Sequence, residues 1–250
     1  MIEVLNVSFS YKPRRTLLRS SKAKSPVHVL KGIEMTIPAG QLFGLIGPNG
    51  SGKTTLAKLI LGAYQPDSGI LLVDGEPRPG LGNSRWKQRI GWLSGASSRL
   101  FSTITLLEHI AMYNSLYKHF DKQWFDGIIE EMDLADKLHK LPTALSFGER
   151  IKFEIAITMA YRPEILVLDE PTVGLDPLAI RHVRQLIQTY MSRQNVCGLL
   201  TSHNLKDIEE LCPQGAFLHD GILMNHFYSE DSWNAERLEA RYREVYSHEA

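Results

Sequence analysis

The chain opens with MIEVLNVSFSY, in which apolar and polar residues alternate, and this period of two predicts a β-strand buried on one face. Three later segments of strand length are apolar except at their ends: QLFGLI at 41–46, EILVLD at 164–169 and VCGLLT at 196–201. Continuous apolar runs of this length are typical of strands that are covered on both faces in a parallel sheet. The first and last of these runs lead into helix-like patterns, so the order of elements predicts an α/β fold.

The pattern becomes helical between residues 97 and 162. The segments LLEHIAMYNSLY and WFDGIIEEMDLADKL and the helix that follows Ser146 predict an α-helical subdomain inserted into the α/β fold. Residues 1–96 and 163–231 are expected to form a mixed core sheet and an antiparallel β-subdomain. The amphipathic segment SWNAERLEARYREVY predicts a C-terminal helix within residues 232–250, which either docks on the parent domain or contacts a partner.

Composition narrows the class of protein. The 250 residues carry 28 Lys and Arg against 28 Asp and Glu, so we expect no general nucleic-acid-binding surface. No apolar run approaches the roughly 20 residues of a membrane-spanning helix, and the N-terminus lacks the architecture of a signal peptide. Cys197 and Cys212 are too few for a disulfide framework, and we expect two reduced thiols in a cytoplasmic protein.

One segment departs from this even distribution of charge. KPRRTLLRSSKAKSPVH, from Lys12 to His28, carries six Lys or Arg residues and no acid. Mutual repulsion predicts an extended, solvated loop. The alternative is a basic surface that faces an anionic membrane or headgroup.

The turn after the first apolar strand carries the most specific chemistry. It fits the pattern G-x-x-x-x-G-K-[ST] with Gly47, Gly52, Lys53 and Thr54. Glycines allow successive N–H groups to curl around phosphate oxygens. Lys53 is expected to reach the β- and γ-phosphates, and the Thr54 hydroxyl is expected to bind Mg²⁺. The predicted phosphate-binding residues are Gly47, Pro48, Asn49, Gly50, Ser51, Gly52, Lys53, Thr54 and Thr55.

Polar residues at the ends of the two later strands are expected to complete the site. Asp169 and Glu170 follow the apolar run of the second strand, and ligands bind at the carboxyl ends of parallel strands. We expect Asp169 to hold the hydration shell of Mg²⁺ and Glu170 to polarise the attacking water. His203, after the third strand, is expected to contact the γ-phosphate, although a lone histidine at such a place is usually structural.

The segment ALSFGERIKFEI combines two local features. Ser146 and Glu149 have the spacing of a capping box that begins an amphipathic helix. Gly148 lies between them and the cations Arg150 and Lys152 follow, and a helix start of this kind also binds anions. These residues alone do not identify the anion.

Taken in order, the motifs GPNGSGKTT, LSFGE, ILVLDE, VGLD and TSH resemble those of ATP-binding cassette (ABC) ATPases, the subunits that power ABC transporters. The resemblance covers nearly the whole chain. It implies a P-loop NTPase fold, ATP and Mg²⁺ as ligands, and head-to-tail dimers with ATP between the two subunits. It also implies an integral membrane permease as partner and a peripheral location at the cytoplasmic face of the cell membrane.

The same resemblance implies roles for four further residues. Ser146 and Gly148 are expected to bind the γ-phosphate of ATP that the other subunit holds. Asp176 belongs to VGLD, which resembles the loop by which one subunit senses the other's site. Tyr11 fits the family's aromatic residue that stacks on adenine, and the alternative is a strand-end tyrosine packed in the core.

Two motif positions depart from the family pattern. Phe147 stands where a glycine is more usual, and Glu149 stands where a glutamine is more usual. EPTVGLDP and LSFGERIKFEIA, together with the basic insert, resemble ABC ATPases that export drugs, polysaccharides and lipid-linked glycans. The predicted cargo is therefore a polysaccharide or a lipid-linked molecule.

A third departure concerns the glutamine that the family carries after the strand beginning RIGW, which touches Mg²⁺ and links the site to the permease. Here that place falls on Gly95 or Ala96, neither of which has a side chain able to coordinate or hydrogen-bond. Gln88 lies too early in the sequence to take this place, because it precedes the strand. Ser94, Ser97 or a water molecule remain as substitutes.

Three other classes of protein are alternatives to a transporter subunit. A soluble ABC ATPase that acts as an assembly or regulatory factor is favoured by the missing glutamine. Nucleic-acid or ribosome-associated relatives generally need two cassettes or long coiled-coil arms, whereas this sequence has one phosphate loop and no heptad run. A GTPase would need an N-K-x-D motif to bind guanine, and this sequence has none. The leading prediction is an ATP-hydrolysing subunit, working as a homodimer or heterodimer, that powers a membrane exporter.

Overall fold

The computed structural model describes residues 1–12, 25–95, 97–193, 195–228 and 234–246. Within these ranges the strands are β1 (Ile2–Tyr11), β2 (Val27–Ile37), β3 (Leu42–Ile46), β4 (Ser68–Val73), β5 (Glu76–Pro77), β6 (Ile90–Ser94), β7 (Ile165–Asp169), β8 (Cys197–Ser202), β9 (Gln214–His219) and β10 (Ile222–Tyr228). The helices are α1 (Lys53–Leu61), α2 (Ser84–Arg89), α3 (Leu106–Leu116), α4 (Lys122–Glu131), α5 (Phe147–Ala160), α6 (Pro177–Arg193), α7 (Leu205–Leu211) and α8 (Ala235–Tyr246).

The larger sheet contains the three apolar strands that the sequence predicts, in the order β10-β9-β3-β8-β7-β6. Strands β6, β7, β8, β3 and β9 are paired in parallel, and β10 is antiparallel to β9. Successive residues of each strand pack on opposite faces. Leu166 and Leu168 belong to the cluster formed with α5–α8, whereas Ile165 and Val167 pack with α1 and the smaller sheet. Both faces are therefore covered, which explains the continuous apolar runs.

The smaller sheet is antiparallel and has the order β2-β1-β4-β5. The alternation in β1 is interrupted at Asn6, whose φ of 50° places it in the left-handed region, and the register with both neighbouring strands shifts here. The mixed core sheet and the separate antiparallel sheet confirm the predicted α/β fold class.

Helices α3, α4 and α5 lie between β6 and β7 along the chain, where the sequence predicts helical structure. The segment WFDGIIEEMDLADKL is not one helix, because α4 ends at Glu131 and a 3₁₀ turn covers Ala135–Lys137. The break falls at Asp133, which adopts a left-handed φ of 55°. The boundaries of a helical subdomain at residues 97 and 162 stay a prediction.

Helix α8 docks on the core sheet. Its side chains Leu238 and Tyr246 are buried, and the Tyr246 hydroxyl donates a hydrogen bond of 2.9 Å to the carbonyl oxygen of Leu218 in β9. Residues 13–24, most of the basic insert, lie outside the described residues. None of the helices in the described ranges combines the length and the apolar character that crossing a membrane requires.

Candidate functional site

The phosphate loop connects β3 to α1, and its last glycine is fixed by both conformation and space. Gly52 has a left-handed φ of 112°, and a Cβ on it would lie 2.8 Å from Leu30 Cδ2. Lys53 follows and is only 6% exposed. Its ammonium donates to the carbonyl oxygens of Gly47 at 2.6 Å and Pro48 at 3.1 Å. The lysine therefore folds back over the loop that precedes it.

The Asp169 carboxylate ends β7 beside the start of α1. Thr54 Oγ1 donates a 2.9 Å hydrogen bond to Asp169 Oδ2, and Thr201 Oγ1 donates a 2.6 Å bond to Oδ1. The structure thus brings together Thr54 and Asp169, the two residues that the sequence predicts as metal ligands. Sequence reasoning missed Thr201, although its place two residues before His203 at the end of a buried strand was visible.

Glu170 occupies an unusual backbone conformation, with a φ of 54° that non-glycine residues rarely adopt. Strain of this kind is concentrated at functional sites. The Glu170 carboxylate lies 3.6 Å from Lys53 Nζ and forms a 2.7 Å hydrogen bond with His203 Nδ1. The main-chain N–H of His203 also donates to the same carboxylate at 3.2 Å. The structure therefore places Lys53, Glu170 and His203 together, with His203 against Glu170.

A cavity of about 360 Å³ lies over this group of residues. Its walls include Tyr11, Asp169, Glu170 and the phosphate-loop residues Pro48, Asn49, Gly50, Gly52, Lys53, Thr54 and Thr55. Gly47 and Ser51, which the sequence also predicts as phosphate-binding residues, are not among the described residues of this wall. Tyr11 is 40% exposed, and its hydroxyl lies 3.1 Å from Thr55 Oγ1. Tyr11 is therefore a residue of the cavity wall and not of the core. Its contact with adenine stays a prediction.

The residues present fit ATP with Mg²⁺. The Lys53 ammonium supplies a positive charge to the cavity, and the buried Ser51 hydroxyl has no hydrogen-bond partner among the described residues. The Thr54 hydroxyl and the Asp169 carboxylate are oxygen ligands, the type that Mg²⁺ prefers, and substrate phosphates usually complete such sites.

The start of α5 has the predicted capping box. The Ser146 N–H donates to Glu149 Oε2 at 2.7 Å, and the Glu149 N–H donates to Ser146 Oγ at 3.2 Å. The bond from the Ser146 main chain, together with the Ser146 hydroxyl and the Lys137 and Lys140 cations, lowers the pKa of Glu149. The Glu149 charge is thus engaged by its own helix.

The motif residues of α5 and the VGLD loop do not line the cavity. Ser146, Gly148 and Asp176 are absent from the described residues that form its walls. A Cβ on Gly148 would make only ordinary contacts, 3.7 Å from Ala179 Cβ and 3.8 Å from Leu175 Cδ2. The fold of the single chain therefore gives no steric reason for a glycine at position 148.

The Phe147 side chain, at the start of α5, packs against the VGLD loop. Gly174 has a left-handed φ of 72°, and a Cβ on it would lie 3.2 Å from Phe147 Cε1. Asp176 accepts main-chain hydrogen bonds of 3.0 Å from Leu178 and Ala179, so its carboxylate caps the start of α6. Phe147, which stands where the family more usually has a glycine, thus packs against the VGLD loop, which is itself one of the family motifs.

One of the two places predicted for the missing glutamine, Gly95, is sterically closed. The Gly95 N–H donates to the carbonyl oxygen of Asp169 at 2.8 Å, and a Cβ on Gly95 would lie 2.0 Å from the carbonyl oxygen of Glu170. Any side chain at position 95 would collide with the backbone that carries Glu170. Of the neighbouring residues, Ser94 is buried, Ser97 is exposed, and Ala96 lies outside the described residues.

Comparison with known proteins decides the family. The family model described as "ABC transporter" matches residues 30–173, which is more than half of the chain. The chain belongs to the ABC transporter family. As a member, this ABC ATPase hydrolyses ATP to ADP and phosphate and is the subunit that energises an ABC transporter.

Individual relatives differ in cargo and direction. The chain is 28% identical to the lipopolysaccharide export system ATP-binding protein LptB of Haemophilus influenzae, over 95% of this chain and 94% of LptB. It is 34% identical to the methionine import ATP-binding protein MetN 2 of Pseudomonas aeruginosa, over 79% of this chain and 61% of MetN 2.

The fold is similar to that of solved ATP-binding cassettes. The dimeric structure of a post-hydrolysis state of the cassette MJ0796, bound to ADP and Pi, has a TM-score of 0.75 at 20% identity. The similarity covers 91% of this chain and 98% of that one.

Proposed function

We propose that this ABC ATPase cleaves the γ-phosphate of ATP with Glu170 as the general base. The observation that carries this proposal is the position of the Glu170 carboxylate, which lies on the cavity wall between His203 Nδ1 at 2.7 Å and Lys53 Nζ at 3.6 Å. Glu170 accepts a proton from the attacking water as the water oxygen bonds to the γ-phosphorus, the bond from that phosphorus to the bridging oxygen breaks, and ADP leaves. His203 holds the carboxylate in place. Lys53 exchanges its two loop carbonyls for phosphate oxygens and neutralises their charge.

Thr54 and Asp169 are the residues that would hold Mg²⁺. When bound, the ion supplies positive charge to the β- and γ-phosphates. The phosphate loop supplies main-chain N–H groups to the phosphate oxygens. The exposed Tyr11 ring stacks on adenine.

We also propose that the site is completed by a second subunit. Ser146 and Gly148 lie outside the wall of the cavity formed by their own chain, and Gly148 has no steric role there. The Ser146 and Glu149 N–H groups serve the capping box, whereas those of Phe147 and Gly148 have no acceptor among the described residues. Free N–H groups at the start of a helix favour a phosphate anion brought by another molecule. The cassette MJ0796, which has a similar fold, is described as dimeric. The start of α5, with Asp176 in the VGLD loop nearby, therefore faces the γ-phosphate held by the partner.

The proposed partner in the membrane is an integral permease, and the proposed direction of transport is export. LptB, which belongs to a lipopolysaccharide export system by name, matches 95% of this chain. We propose a polysaccharide or lipid-linked cargo and a peripheral location at the cytoplasmic face of the membrane. A second candidate, a soluble assembly or regulatory factor, is favoured by the closed position at Gly95. Co-purification of a permease from detergent-solubilised membranes distinguishes the two candidates.

The variant Glu170→Gln tests the proposed base. Because general bases contribute about 10²- to 10⁴-fold, phosphate release should fall by at least about 100-fold while ATP still binds. The matched control is Glu164→Gln, the same change just before β7, where Glu164 pairs with Arg89 on the surface. The Glu164→Gln variant should hydrolyse ATP at the wild-type rate. Near wild-type hydrolysis by Glu170→Gln would exclude Glu170 as the base.

A further inference from the structure

The Asp169 carboxylate is held by hydroxyl groups on both of its oxygens. Thr54 Oγ1, from α1, donates to Oδ2 at 2.9 Å. Thr201 Oγ1, from β8, donates to Oδ1 at 2.6 Å. Among the described side chains these two threonines are its hydrogen-bond donors, so each oxygen has one donor from a different element.

Thr201 reaches Asp169 from a rigid position. The two residues are directly paired in the parallel register of β7 and β8, and Thr201 is 0% exposed. The contact is therefore set by the pairing of two central strands and not by a loop. Residues on neighbouring buried strands hold a functional group more accurately than residues on loops do.

Thr201 also contacts the residue proposed as the base. The Glu170 N–H donates to the Thr201 carbonyl oxygen at 3.0 Å and lies 3.2 Å from Thr201 Oγ1. One buried threonine therefore touches both acidic residues of the site. Glu170 has a left-handed φ of 54°, and its main-chain N–H contacts help to hold that conformation.

Thr54 and Thr201 contribute differently to the Mg²⁺ site proposed above, on which this inference rests. A hydroxyl that binds Mg²⁺ through its oxygen still has a hydrogen to donate, so Thr54 can be a metal ligand and a donor to Asp169 Oδ2. Thr201 donates to the opposite oxygen, Oδ1, from a fully buried position. We propose that Thr201 is a positioning residue, which keeps the Asp169 carboxylate oriented toward Mg²⁺ and Thr54.

The variants Thr201→Val and Thr201→Ser separate the hydroxyl from the shape of the side chain. Valine keeps the volume and removes the hydroxyl, whereas serine keeps the hydroxyl. Mn²⁺, as a spectroscopic substitute for Mg²⁺, is titrated by electron paramagnetic resonance into each protein with a bound non-hydrolysable ATP analogue. We expect Thr201→Val to weaken Mn²⁺ binding by about 10- to 100-fold, the usual effect of removing a residue that orients a metal ligand. Thr201→Ser should restore it.

Affinity for the nucleotide in excess chelator provides the second measurement. It should be unchanged in Thr201→Val, because Thr201 is not among the described residues that line the cavity. The matched control is Ser202→Ala, which removes the next buried hydroxyl of β8, one that donates to Asp207 and not to Asp169. It should bind Mn²⁺ as the wild type does.

Three outcomes would overturn the proposal. One is wild-type Mn²⁺ affinity in Thr201→Val. Another is an equal loss of metal-free nucleotide binding in that variant, which would indicate a general structural role. The third is an equal loss of Mn²⁺ affinity in Ser202→Ala.

Discussion

At the scale of single residues, Gly95, one of the two positions predicted for the missing glutamine, is held in a close backbone contact. Its N–H bonds to the Asp169 carbonyl oxygen, and its Cα faces the carbonyl of Glu170 at a distance that leaves no room for a Cβ. The end of β6 can approach the loop after β7 this closely only because the residue is glycine. A glutamine at this position would require the backbone of Glu170 to move.

If the place of the family's glutamine is position 95, restoring it there should therefore damage the protein. The variant Gly95→Gln is expected to lose about 1–3 kcal/mol of unfolding free energy, as overpacked sites do, and to hydrolyse ATP more slowly. Urea unfolding and phosphate release measure the two effects. The control is Gly127→Ala in α4, where a Cβ meets nothing within 4 Å, and alanine should stabilise the helix by about 1 kcal/mol. A stable Gly95→Gln protein with faster hydrolysis would contradict this account.

At the scale of elements, the carboxyl ends of β7 and β8 are joined to α6 and α7 through Asp207. This carboxylate is 0% exposed. It accepts a hydrogen bond from Thr172, which follows β7, and a 2.9 Å hydrogen bond from Ser202, which ends β8. It also accepts a 2.7 Å bond from Arg184 Nε of α6. A single buried acid thus fixes the segment that follows Glu170 and the residue that precedes His203.

Removal of this acid should be costly. The variant Asp207→Ala leaves the largely buried Arg184 guanidinium with Glu210 as its remaining ion-pair partner, and breaking a buried pair costs about 3–5 kcal/mol. Urea unfolding measures the loss. The matched control is Asp126→Ala, which breaks the exposed pair with Lys122 in α4 and should change stability little. Equal unfolding midpoints for the two variants would show that the Asp207 contacts do not support the fold.

Local features could be predicted from the sequence, whereas features made by distant residues could not. Short runs of neighbouring residues specify the buried strands, the phosphate loop and the capping box at Ser146. The structure contains each of these features. The roles of Thr201 and Asp207 depend on strand register and on α6, which no local pattern specifies. In the sequence, Gly95 indicates only that a glutamine side chain is missing. The packing of Gly95 against the backbone of Glu170 explains why the residue is a glycine.

At the scale of the whole molecule, the family motifs fall into two separate groups. Lys53, Asp169 and Glu170 surround the cavity, whereas Ser146 and Gly148 lie outside its walls. The central claim of our account is that two copies of the chain join these groups, so that the phosphate loop of one faces the start of α5 of the other.

A mixing experiment tests this claim most directly. Lys53→Ala removes the phosphate contact of the cavity, and Gly148→Asp blocks the start of α5 with bulk and negative charge where the fold tolerates a side chain. Each variant alone should be nearly inactive. In a hybrid dimer, one site combines an intact Lys53 from one chain with an intact Gly148 from the other.

The measurement is phosphate release by an equimolar mixture of the two variants, combined without nucleotide and then supplied with ATP and Mg²⁺. Our account predicts that the mixture is clearly more active than the sum of the separate variants, because hybrid dimers contain one complete site. Activity no greater than that sum would contradict a site shared between two copies of this chain.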